Sequence, residues 1–170
     1  MKPRLLLEIA YDKLLQNVKN NFDNGRDDRS SEVRITNTLF MPYLQEDQLE
    51  AEGESQTSNG KYTSRIIFDN VIFKDEPTPE TASVVAVDGE EYVFNRIDRN
   101  RSNVKVSCTC LDFHYRFAAF NHRDKALADK PPEPYVKKTN QKPVNPAKVS
   151  GVCKHIIRMV EELDRDRIFK

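Results

Sequence analysis

The chain has 170 residues, with 27 Lys and Arg against 27 Asp and Glu, three Cys, no Trp, five Gly and nine Pro. A chain of this length, 38% hydrophobic and 32% charged, predicts one domain with a modest core. No apolar run approaches the roughly 18 residues a membrane-spanning helix needs, and Glu8 and Asp12 break the Leu5-Leu6-Leu7 stretch short of signal-peptide length, so neither a membrane nor signal-dependent secretion is expected.

An odd cysteine count argues against a disulfide framework and for a reducing, intracellular compartment, where Cys serves as a ligand or core residue. The zero net charge conceals a division. Residues 1–95 carry 10 basic and 18 acidic groups, and residues 96–170 carry 17 basic and 9 acidic, giving −8 against +8. Such asymmetry predicts a basic region that meets an acidic partner: nucleic acid, another subunit or the chain's own acidic part.

In chain order, residues 4–22 read as an amphipathic helix, with Leu7, Tyr11, Leu14, Leu15, Val18 and Phe22 on one stripe and Pro3 suited to the first turn. From Glu32 the period becomes two, with Val33, Ile35 and Leu39 alternating with polar residues, a half-buried strand. Residues 44–60 read as an acidic, mobile loop. Strand character returns from Tyr62 to Phe73, broken by a turn at Asp69-Asn70. Val84 to Val87 and Tyr92 to Phe94 flank Asp88-Gly89, a hairpin signal. Val104, Val106, Cys108 and Cys110 alternate along a further strand, and a final helix is expected from about Ser150 to Ile168 with Ile156, Val160 and Leu163 on its apolar stripe. The fold class is therefore α+β: an N-terminal helix, an antiparallel sheet over about residues 32–110 and a C-terminal strand and helix. Residues 1–95 form an acidic region and residues 96–170 a basic one with a long insert, 111–152, within one compact unit.

All three cysteines fall in one pattern, Cys108-Thr109-Cys110 followed 42 residues later by Cys153-Lys154-His155. Three thiolates and an imidazole are the donors of a closed, tetrahedral structural zinc site. Residues i and i+2 of a strand share a side, so Cys108 and Cys110 can converge. Cys153 and His155 stand at the start of a helix, whose dipole favours a thiolate. One such ion contributes folding free energy on the order of 10 kcal/mol. His114 and His122 are rival ligands should the insert fold back.

Cys-x-Cys followed by Cys-x-His resembles the signature of SWIM-type zinc fingers, and the flanks Val104 to Phe113 and Gly151 to Ile156 are similar too. The resemblance covers roughly residues 92–165. It implies a β-hairpin and helix around one zinc ion held by Cys108, Cys110, Cys153 and His155, in a non-catalytic module associated with DNA or protein binding. The segment between the ligand pairs is much longer than usual. With Phe113-His114-Tyr115-Arg116-Phe117 and Val144-Asn145-Pro146, it looks more like the long-insert SWIM proteins of tailed phages and other large DNA viruses, which implies a virion or assembly role.

Two further segments each have two readings. Phe113, Tyr115, Phe117 and Phe120, interleaved with Arg116 and Arg123, either stack on single-stranded nucleic acid or, at i, i+4 and i+7, pack a helix against the core. The tract from Lys130 to Lys148, with five prolines and Lys130, Lys137, Lys138, Lys142 and Lys148, is either an arm along an acidic surface or phosphate backbone, or a solvated loop. No glycine-rich phosphate loop, His-Glu-x-x-His or Gly-x-Ser-x-Gly is present, so the expectation is a non-enzyme without a small-molecule substrate. It would bind nucleic acid or an acidic protein surface, or join subunits of a larger assembly such as a virion.

Overall fold

The computed structural model describes residues 9–22, 28–134, 136 and 138–170. The fold is mixed α and β. Helix α1 (Tyr11–Asn21) precedes strands β1 (Arg34–Tyr43), β2 (Gln48–Thr57), β3 (Gly60–Phe68), β4 (Phe73–Lys74), β5 (Thr81–Val85), β6 (Glu91–Asn95) and β7 (Val104–Cys108). A continuous helical run follows, made of α2 (Leu111–Phe113), a π turn (His114–Ala118) and α3 (Ala119–Arg123). Helix α4 (Lys154–Arg165) lies near the C-terminus.

Two antiparallel sheets replace the single one expected. The larger has the order β1-β2-β3-β7 and the smaller β4-β6-β5. The break falls at the predicted Asp69-Asn70 turn, where Asn70 adopts a left-handed φ of 57° and ends β3 before β4. In the predicted hairpin only Gly89 of the Asp-Gly pair takes a positive φ, 84°, and the connection spans residues 86–90 rather than a two-residue turn.

The largest correction is at residues 44–60, read from sequence as a mobile loop. Most of this segment is β2, an internal strand of the larger sheet. Its core-facing residues are Leu49, Ala51, Gly53 and Ser55, all buried. Three of these four are small, so the alternation is real but carries little hydrophobic signal. The reason is packing: α4 lies across this face, and a Cβ on Gly53 would sit 2.9 Å from the sulfur of Met159. Small side chains let the helix approach. One of the acidic residues also has fixed partners: Glu50 is buried, accepts from Arg65 at 2.6 Å and accepts from the Tyr43 hydroxyl at 3.2 Å.

Helix boundaries also shift. Residues 4–8 lie outside the described residues, as does Leu7. Ile9 and Ala10 are extended, pairing with Asn103 and Val104, so α1 starts at Tyr11. Its buried stripe is Tyr11, Leu14 and Val18. At the other end, α4 covers Lys154–Arg165 only. Residues 150–153 run extended into it, with Cys153 at φ −87° and ψ 169°, and Ile168 leaves the helix to bond Ile97 through its carbonyl.

The core is continuous. It joins α1, the inner face of the larger sheet, Phe113 and Phe117 of the helical run, and Ile156, Met159, Val160 and Leu163 of α4. Because β7 pairs with β3, the basic region contributes a strand to the sheet built by the acidic one. No helix among the described residues is long and apolar enough to cross a membrane.

Candidate metal centre

Register on the larger sheet positions the first ligand pair. Cys108 ends β7 opposite Ser64 of β3, and the Ser64 hydroxyl donates to its sulfur at 3.4 Å. The strand ends there, one residue pair earlier than the alternation predicts. Thr109 is still held to β3, its N–H donating to Thr63 and its hydroxyl accepting from the Thr63 N–H, both at 3.0 Å. The chain then turns, and Cys110 becomes the N-cap of α2 rather than a strand residue. Its sulfur accepts the Phe113 N–H at 3.3 Å. An N-cap sulfur sits at the positive end of the helical run, which favours a thiolate.

A tightly held strap delivers the second pair. The Asn17 side chain donates to the Ser150 carbonyl at 3.0 Å. Gly151 is so close to Phe117 and Val18 that a Cβ there would meet the ring at 2.6 Å and the valine at 2.9 Å. Only a glycine passes this point without displacing its neighbours. Two residues on, Cys153 is the N-cap of α4, and His155 lies in the first turn of that helix.

The four predicted ligands, Cys108, Cys110, Cys153 and His155, are brought together. Their donor atoms all lie within 4.8 Å of one another, and all four residues are buried, none more than 7% exposed. His155 Nδ1 is 3.8 Å from both Cys108 Sγ and Cys153 Sγ. A tetrahedral ion with bonds of about 2.3 Å to sulfur and 2.05 Å to nitrogen has an S–N edge of about 3.6 Å, so these two S–N separations are close to the spacing such an ion needs. Three sulfurs and one imidazole nitrogen are soft and borderline donors, and the residues present fit one structural metal ion.

The electrostatics agree with that fit. Hydrogen bonds from the Cys110 and Cys153 thiols, with help from Ser64, pull the Cys108 thiol down to about 4 against the opposing effect of its burial. Burial pushes the Cys153 thiol upward, and its bonds to the other two sulfurs add to that. A bound divalent cation would favour the thiolate forms at such a site. A cavity of about 260 Å³ borders the donors between the β2–β3 turn and the starts of α2 and α4, edged by Thr57, Asn59, Tyr62, Asp112 and Lys154.

Two residues that sequence reasoning did not single out complete the site. Ser64 supplies a hydroxyl to the Cys108 sulfur. Tyr62 lays its ring against the His155 imidazole, with centroids 4.4 Å apart and a tilt of 38°. His155 Nε2 is buried with no hydrogen-bond partner among the described residues, so Tyr62 rather than an acceptor orients the ring. Only the β3–β7 and β2–β3 registers reveal these two, and their local sequence carries no such signal. His114 and His122 are exposed on the helical run and lie outside the cluster.

The two ambiguous segments also resolve in part. Phe113 and Phe117 are core residues, 2% and 0% exposed, so they are not a stacking surface. The insert from Lys130 to Val144 is exposed apart from the half-buried Pro132, with positions 135 and 137, and thus Lys137, outside the described residues. Its far end is pinned by Asn145, buried and donating to the Arg116 and Val149 carbonyls at 2.8 Å each.

No family model, curated protein or solved structure matches the chain.

Proposed function

We propose that the chain is a non-catalytic binding and assembly protein built around one structural zinc ion. Cys108, Cys110, Cys153 and His155 hold the ion, and the basic insert between the ligand pairs faces an acidic partner, a nucleic acid or an acidic protein surface. The observation that carries this reading is the convergence of four buried protein donors. They fill a tetrahedral shell and leave no position for a water or a substrate, which is the condition of a structural rather than a catalytic ion. Zinc suits three thiolates and an imidazole better than the harder divalent cations do. When bound, the ion ties the end of β7 to the start of α4, closing a long loop whose exposed Lys130, Lys138, Lys142 and Lys148 extend from a fixed base. The resemblance to SWIM-type fingers supports the same reading, and its long-insert variety supports membership of a larger assembly such as a virion.

Elemental analysis should find about one zinc per chain, and a strong chelator should unfold the protein. A fluorescence titration of the zinc-loaded chain with duplex and single-stranded DNA should show binding that falls steeply with salt if the partner is nucleic acid. Absence of binding at low ionic strength leaves the acidic protein surface as the partner. A metal-free chain that is fully folded overturns the zinc reading.

A further inference from the structure

The two edges of the larger sheet differ in chemistry. At one edge, β1 has β2 on one side only. The β5–β6 connection lies along its open side, where the Val87 N–H donates to the Phe40 carbonyl at 3.0 Å. This corner exposes apolar side chains: Val85 is 65% exposed, Val87 59% and Leu39 39%. The same connection and the start of β6 make an acidic rim beside them: Asp88, Glu90 and Glu91 are all exposed, and none forms an ion pair among the described residues.

At the other edge, β7 is extended by residues 126–128. The Val106 N–H donates to the Ala126 carbonyl at 2.9 Å, and the Ala128 N–H donates to the Val106 carbonyl at 3.0 Å. Asp129 then anchors to Arg65 at 2.7 Å, and the insert projects from there. Residues 130–148 contain five Lys and five Pro against one Glu. Val136 and Val144 are 72% and 51% exposed. The insert is therefore basic, apolar between its lysines and short of backbone N–H groups. Three strand spacings of about 4.8 Å, roughly 14 Å in all, separate the two edges.

We propose that the proline-lysine insert of one copy docks on the β1 edge of a second copy. Its prolines and valines cover Leu39, Val85 and Val87, and its lysines meet the acidic rim. This deepens the reading of the insert as a binding surface and rests on it. Charge complementarity selects the occupant, because the rim offers only carboxylates and the insert nearly only ammonium groups. Proline limits the backbone freedom lost on docking. Its missing N–H groups also let the insert cover an open strand edge without continuing the sheet into an aggregate. Since the donor and acceptor surfaces differ, the contact is heterologous, and successive copies form a ring or a filament.

The test is sedimentation velocity on the full zinc-loaded chain and on two charge-reversed variants, Lys138→Glu with Lys142→Glu on the insert and Glu90→Lys with Glu91→Lys on the rim. The wild-type mass should rise with concentration and fall with salt. Each variant alone should sediment as a monomer. Their equimolar mixture should assemble again, because the intact acidic edge of the insert variant meets the intact insert of the edge variant, and the two reversed surfaces are likewise complementary. A wild-type chain that stays monomeric at high concentration and low salt overturns the proposal, as does assembly that survives either pair of reversals. A monomeric wild type whose insert variant loses DNA binding assigns the insert to nucleic acid and also overturns it. Zinc content measured on the same samples keeps the two readings apart. A metal-free chain that still assembles overturns the zinc reading alone, and a zinc-loaded monomer overturns this one alone.

Discussion

Asn121 and Gly151 hold each other through two buried hydrogen bonds: the Asn121 side-chain amide donates to the Gly151 carbonyl at 2.9 Å and accepts the Gly151 N–H at 2.8 Å. The pair joins the end of the helical run to the strap that carries Cys153 and His155, so the geometry of the second ligand pair depends on it. Asn121→Ala leaves a buried N–H and carbonyl without partners, at a cost of about 1–3 kcal/mol. Thermal melting should move down by about 2–4 °C per kcal/mol in a chain of this size, and zinc should be lost at a lower chelator concentration. Retention of both values would show that the strap is held by other contacts.

Glycines 53 and 151 make a comparative prediction. A Cβ at either position meets a neighbour at under 3.0 Å, but the neighbours differ. At Gly53 the obstacle is the thioether of Met159, an unbranched chain that can swing aside. At Gly151 it is the Phe117 ring, 0% exposed and stacked edge-on to Phe22 at 5.5 Å, together with Val18. Gly151→Ala should therefore cost toward the upper end of the roughly 1–3 kcal/mol typical of overpacking, and Gly53→Ala distinctly less. Urea unfolding of the two variants decides the order.

Legibility in the sequence followed the strength of the local signal. The three cysteines were informative because nothing else in a 170-residue chain competed for them, and their pattern placed all four donors. Strand β3 was legible because Ile66 and Phe68 face the core with large side chains. Strand β2 was not, because its inner face is made of Ala51, Gly53 and Ser55, sized to admit α4 from elsewhere in the chain. That constraint is tertiary and leaves no local hydrophobic pattern. Tyr62 and Ser64 are hidden for the same reason, since their roles exist only once β7 has paired with β3 in one register.

Replacement of the histidines separates the ligand from its rivals. His155→Ala should abolish stoichiometric zinc and lower the melting temperature steeply, while His114→Ala and His122→Ala, at exposed positions outside the cluster, should leave both unchanged. Ser64→Ala tests the outer support. It removes the hydroxyl that donates to Cys108 and should weaken zinc by about 10-fold or more without preventing folding. Competition against a coloured chelator measures each case. Zinc retained by His155→Ala at full affinity would exclude His155 as a ligand.

Alkaline stability follows from Tyr11. This phenol is 1% exposed at the α1–α4 contact, with the Arg99 guanidinium 5.3 Å from its ring centroid. Burial pushes its titration well above the ordinary value of 10, and the Arg99 charge only partly opposes that. The folded chain therefore holds the proton more tightly than the unfolded chain does. The resulting contribution to stability is present in full below the ordinary phenol range, near pH 10, and is lost as the pH rises from there through the folded value. Melting temperature should decline above about pH 10, and Tyr11→Phe, which has no proton to lose, should flatten that decline. In an ultraviolet titration of the wild type, Tyr11 should ionise only as the chain opens. A wild type and a Tyr11→Phe variant with superimposable alkaline profiles would show that Tyr11 ionises without opposing the fold.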